Sequence, residues 1–165
     1  MTELFRRRAQ SAGATHIVEA TGVADLQARL RALAAELRRN GQRVSTLALV
    51  GHGAGLRGDF LVSVAGSTAR PSREVLDAGN AASVLGDIVR VMAPRARVDL
   101  EGCWSENGGL PVALRSAAAA AGTQVQVSGF SGQANFVWTP ARNGRGGRSG
   151  TVTVTGESSR DLDGL

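Results

Sequence analysis

The sequence predicts an α/β fold, a three-layer α-β-α sandwich built on a mostly parallel sheet. Three observations carry that expectation. Apolar runs of strand type alternate along the chain with amphipathic stretches of helical period. The run Val44 to Val50 lacks strict polar alternation, as strands covered on both faces do. Two runs, Val44 to Val50 and Val98 to Glu101, pass directly into glycine-flanked reactive residues, the usual content of strand ends in parallel sheets.

In chain order, residues 1–13 read as a flexible lead-in and Thr15 to Ala20 as a short strand. Asp25 to Arg39 places Leu26, Leu30, Leu33 and Leu37 on one helical stripe, and Asn40-Gly41 is its stop signal. Val44 to Val50 is the next strand, and Phe60 to Val64 follows the Gly58-Asp59 turn as another. Ser67 to Gly79 reads as loop. Ala81 to Met92 is a second helix, which Pro94 ends. Val98 to Glu101 is a buried-type strand. Leu110 to Ala121 is a third helix, with Pro111 in its first turn and Gly122 as its cap. Val125 to Val127 is a strand. Phe136 to Trp138 and Thr151 to Thr155 are two more, joined by the Gly- and Arg-rich stretch from Pro140 to Gly150. Residues 157–165 read as a flexible tail. No internal repeat or linker divides the chain, so 1–165 is expected to form a single domain.

Composition narrows the function classes. A chain of 165 residues, 42% hydrophobic and 20% charged, has the usage of a globular domain and not of a disordered one. No apolar run has membrane-span length. The opening Met1 to Arg8 carries charge without the apolar stretch of a secretory signal, so a cytoplasmic location is expected. The formal net charge is +5, yet all 19 basic residues are arginine, and they are scattered rather than gathered in a stripe. With the heavy Ala and Gly usage this fits the coding bias of a GC-rich bacterial genome, and nucleic acid is not expected as a partner. The single cysteine allows no internal disulfide and fits a reducing compartment.

That cysteine, Cys103, and one of the two histidines, His52, stand at equivalent places, each just past a strand. A strand-helix-strand crossover brings such ends to one edge of the sheet, where a thiol and an imidazole form the pair that nucleophilic catalysis requires. Other chemistries drop out. Two histidines and one cysteine give no metal-ligand spacing, and no cofactor is expected. Gly51-His52-Gly53-Ala54-Gly55 has glycine where a nucleophile elbow needs serine, and it lacks the Lys-Ser/Thr of a phosphate loop.

Leu47 to Gly53, with its strand and His-Gly, resembles the histidine segment of the caspase, metacaspase, gingipain and clostripain group of cysteine peptidases. Val98 to Cys103 resembles that group's apolar strand and nucleophile, and Gly108 to Ser128 its next helix and strand. The likeness is closest to short bacterial caspase-like and CHAT-type members and covers Thr15 to Gly129. It implies a single caspase-like domain, with Cys103 as nucleophile, His52 as proton-transfer partner and the Gly53 amide as an oxyanion donor. It further implies that Glu101, two residues before the cysteine, lines the pocket for a basic residue preceding the cut. Asp99 lies one step deeper on the same side, and Glu106 is an alternative source of that negative charge. The stretch Trp104-Ser105-Glu106-Asn107 departs from the metacaspase pattern.

The expected activity is therefore cleavage of a protein or peptide substrate after Arg or Lys. The other reading is a non-catalytic caspase-like module for protein–protein interaction or assembly. Only one strand-helix unit precedes the histidine strand, which would leave a sheet edge for a homodimer or a partner chain to cover.

Overall fold

The computed structural model describes residues 2–53, 60–62, 75–103, 105–140 and 150–155. Among the described residues four helices, α1 (Thr2–Ser11), α2 (Val23–Arg39), α3 (Ala81–Val89) and α4 (Leu110–Ala120), are interleaved with eight strands. The strands are β1 (Val44–Val50), β2 (His52–Gly53), β3 (Phe60–Leu61), β4 (Val75–Leu76), β5 (Met92–Glu101), β6 (Val125–Ser128), β7 (Asn135–Pro140) and β8 (Gly150–Thr155).

The fold is α/β. Its main sheet has the order β1-β5-β6, all parallel, with β5 in the centre. Leu47 pairs with Val98, Leu49 with Leu100 and Val50 with Glu101, while Val98 on its other side pairs with Val127. Parallel neighbours require crossovers, and α3 and α4 supply them. Strands β2, β3 and β4 form a small antiparallel sheet, and β7 and β8 a hairpin.

Side chains alternate along β5. Ala96, Val98 and Leu100 are buried, while Arg97 between them is exposed and Asp99 half-buried. The buried set meets Leu26, Leu30, Ala34 and Leu37 of α2, Val84, Leu85, Ile88 and Val89 of α3, and Leu110, Leu114 and Ala118 of α4 in one core. Each of these three helices contributes the stripe its period dictates. Helix α2 closes where Gly41 takes φ +65°, and α4 where Gly122 takes φ +75°. Helix α1 lies on the other side of the sheet: its Arg8 reaches Glu101, whose side chain alternates away from Leu100. The layers are thus compatible with an α-β-α arrangement. No helix among the described residues is long and apolar enough to cross a membrane.

Several expectations are corrected. Residues 2–11, expected as a flexible lead-in, form α1, held by Glu3 to Arg6 and Arg7 within the helix and by Arg6 to Glu19 beyond it. Thr15 to Ala20 is not a strand; the chain there finds no ladder partner, though Val18 and Ala20 pack on the core. Strand β1 is not covered on both faces, since Ser45, Thr46 and Ala48 are exposed and β1 is an edge among the described residues. The second helix stops at Val89, and Val91 and Met92 turn into β5 as buried residues.

Pro94 therefore lies inside a strand. It is tolerated because the β1–β5 register shifts between Val44 and Thr46, where Arg95 adopts φ 60° and no regular ladder asks for a proline N–H. Val75–Leu76, read as loop, is the strand β4. Residues 63 and 64 of the expected Phe60 strand, residues 141–149 of the Arg-rich stretch, Trp104 and the tail lie outside the described residues.

Candidate active site

At the carboxyl edge of the sheet the ends of β1 and β5 lock together through backbone. The Gly51 N–H donates to the Glu101 carbonyl at 3.2 Å. A Cβ on Gly53 would stand 2.0 Å from the Cys103 carbonyl oxygen and 3.0 Å from its nitrogen, so no side chain fits there. A Cβ on Gly102 would stand 2.7 Å from the Phe60 ring and 3.1 Å from the Gly51 carbonyl oxygen. What approaches Gly53 is the chain's own Cys103 backbone.

His52 sits in β2 opposite Leu61, with its ring exposed and edge-on to Phe5, centroids 5.5 Å apart. Phe5 in turn packs on Phe136 at 5.0 Å. Among the described residues neither His52 ring nitrogen has a hydrogen-bond partner, so the imidazole and the thiol are neighbours by backbone and not by a direct bond. Cys103 is half-buried and free. Its sulfur accepts the Ala134 N–H at 3.4 Å, and its S–H points to the Ala134 carbonyl at 3.8 Å. The segment entering β7 therefore seats the thiol.

The carboxylates predicted to face a basic substrate residue lie near this edge and mostly have partners. Glu101 is 7% exposed, and both its oxygens receive the forked guanidinium of Arg8, one through Nε at 2.8 Å. That hydrogen bond raises the Arg8 guanidinium above its ordinary value, against the partial burial that lowers it; the charges of Glu101 and Asp99 add to the rise. Asp99 accepts from Arg97 and from the Ser128 hydroxyl, each at 2.7 Å. Glu106 donates its N–H to the Phe130 carbonyl at 3.1 Å and keeps one buried carboxylate oxygen, Oε2, without a partner among the described residues.

Ser105, to which local sequence pattern assigns no role, organises the loop. It is fully buried, donates to the Leu100 carbonyl at 2.7 Å and accepts the Phe130 N–H at 3.0 Å, tying the end of β5 to the end of β6. Gly129 is required beside it, since a Cβ there would come within 2.8 Å of the serine oxygen. A serine two residues after a cysteine gives no pattern from which this role could be read. Among the described residues no group of His, Cys, Asp and Glu is arranged to hold a metal ion. A shallow depression lined by Pro94, Arg95 and Thr123 opens at the opposite end of the sheet and contains none of these groups.

Compared with known proteins, the chain matches no family model, no curated protein and no solved structure.

Proposed function

We propose that this chain is a caspase-like cysteine endopeptidase that cuts after a basic residue. The observation that carries the proposal is the Gly53–Cys103 backbone contact, which holds the chain's single cysteine beside the residue that follows His52. In the proposed reaction the Cys103 sulfur attacks the scissile carbonyl and forms a thioester. His52 protonates the departing amine, and water then releases the acyl group from the sulfur. The Gly53 and Cys103 amides are the proposed oxyanion donors. Glu101 is proposed to bind the basic side chain, with Asp99 adding negative charge behind it and Glu106 as the alternative carboxylate. The proposed setting is the cytoplasm, with a protein or peptide as substrate.

The second reading, a module that binds a partner without cleaving it, is favoured by one observation. The exposed Ser45, Thr46 and Ala48 lie on β1, an edge strand among the described residues, and an open edge accepts a strand from another chain.

Fluorogenic peptides carrying Arg, Lys, Asp, Asn or Leu before the scissile bond separate the readings when run beside Cys103→Ala. Cysteine-dependent cleavage after Arg or Lys supports the peptidase and its pocket. Cleavage after another residue keeps the peptidase and removes Glu101 from its role. A folded protein that cleaves nothing, and whose Cys103 resists alkylation at neutral pH, supports the binding module.

A further inference from the structure

Phe5 and Arg8 stand three residues apart, on one face of α1, and that face lies on the candidate site. Phe5 meets the His52 ring, and Arg8 fills both oxygens of Glu101. One helix thus contacts two of the groups that the peptidase reading uses. The same helix contributes nothing to the main core. It packs along β8 and touches β1, and it is fastened further by the Phe5–Phe136 contact, by the exposed Arg6–Glu19 pair and by the Ser11 hydroxyl, which accepts the Val152 N–H at 3.2 Å. The Arg6–Glu19 pair is exposed and holds weakly, and α1 packs on β8 and β1 outside the core shared by α2, α3 and α4, so its release leaves that core in place.

We propose that α1 is an in-chain plug: Arg8 is the resident guanidinium of the Glu101 pocket, and peptide substrates compete with it for that pocket. The inference rests on the peptidase reading and narrows its substrate class. The Glu101 carboxylate is engaged by a planar fork through two parallel N–H bonds, a geometry that a lysine ammonium does not reproduce, so the pocket selects Arg over Lys. Arg8 is not itself presented for cleavage, because its backbone is closed into helical hydrogen bonds and a peptidase takes an extended chain.

The test uses the whole 165-residue chain as the parent, with Arg8, and as the Arg8→Lys and Arg8→Ala variants. Agmatine, a guanidinium without a scissile bond, is the binding probe, and an arginyl fluorogenic peptide is the substrate. The plug predicts that Arg8→Ala binds agmatine at least about tenfold more tightly than the parent, with Arg8→Lys between them. Adding Glu101→Gln abolishes the gain, and arginyl cleavage rises in the same order. Equal agmatine affinity in all three forms overturns the plug, as does cleavage that Arg8 substitution leaves unchanged. Tighter agmatine binding with no cleavage by any form keeps the plug and refutes the peptidase. If Arg8→Ala does not fold, Arg8→Lys, which keeps the charge beside Glu101, decides the matter by the same readouts.

Discussion

Gly53 packs backbone to backbone against Cys103, at a separation that leaves no room for even a methyl group. The contact joins the end of β2 to the loop that carries Cys103. Overpacking ordinarily costs about 1–3 kcal/mol, and here the obstructing atoms are backbone, which has no rotamer to change. Gly53→Ala is expected to destabilise the protein by at least about 2 kcal/mol and to abolish the proposed cleavage. Urea unfolding beside the peptide assay checks both.

Gly86 is the contrasting glycine. It lies in the middle of α3, and a Cβ there meets nothing within 4 Å. Glycine in a helix interior costs about 1 kcal/mol relative to alanine. Gly86→Ala is expected to raise stability by about that amount without changing activity, which thermal and urea unfolding will show.

Ser105→Ala removes one hydroxyl that serves two backbone groups, the buried Leu100 carbonyl and the half-buried Phe130 N–H. An unsatisfied buried polar group costs about 1–3 kcal/mol. A loss of about 2–4 kcal/mol in urea unfolding is expected, with Cys103 alkylation altered because its loop is no longer tied to β6.

The crossover topology was readable because β1, α2, α4 and the end of β5 obey local rules: periodic leucines, a β-branched run, Pro111 inside a helix start and Gly122 after its end. From those elements the meeting of the residues around His52 and Cys103 follows by chain geometry alone. What local pattern does not encode is pairing over distance. Arg8 and Glu101 are 93 residues apart, and nothing in Thr2 to Ser11 announces a helix that will rest on a strand end. The extended-looking Thr15 to Ala20 has strand composition but pairs with no strand among the described residues. Pro94 reads as a helix stop, whereas a register shift in β5 accommodates it. The role of Ser105 is a tertiary hydrogen-bond arrangement, invisible until β5 and β6 are side by side.

Asp25 offers a test of the α2 terminus by pH. The Thr21 N–H, at 3.0 Å, and then Arg29 hold its carboxyl below the ordinary range, against partial desolvation. A depressed folded value means that the contribution is complete at neutral pH and is lost as pH falls from the ordinary carboxyl range through the folded value. The melting temperature of the parent is therefore expected to exceed that of Asp25→Asn at neutral pH. The difference should narrow as pH falls below the ordinary carboxyl range and the Asp25 carboxylate is protonated in the folded state. A difference that does not vary with pH would contradict the assignment.

Cleavage of an arginyl peptide by the parent, Cys103→Ala, His52→Ala and the double variant measures most directly whether the two residues act as one catalytic unit. Groups that act together give non-additive losses. The dyad predicts that each single variant loses at least about a thousandfold in kcat/KM, and that the double variant is no worse than either. Activity retained in Cys103→Ala, or losses that multiply independently in the double variant, would contradict it.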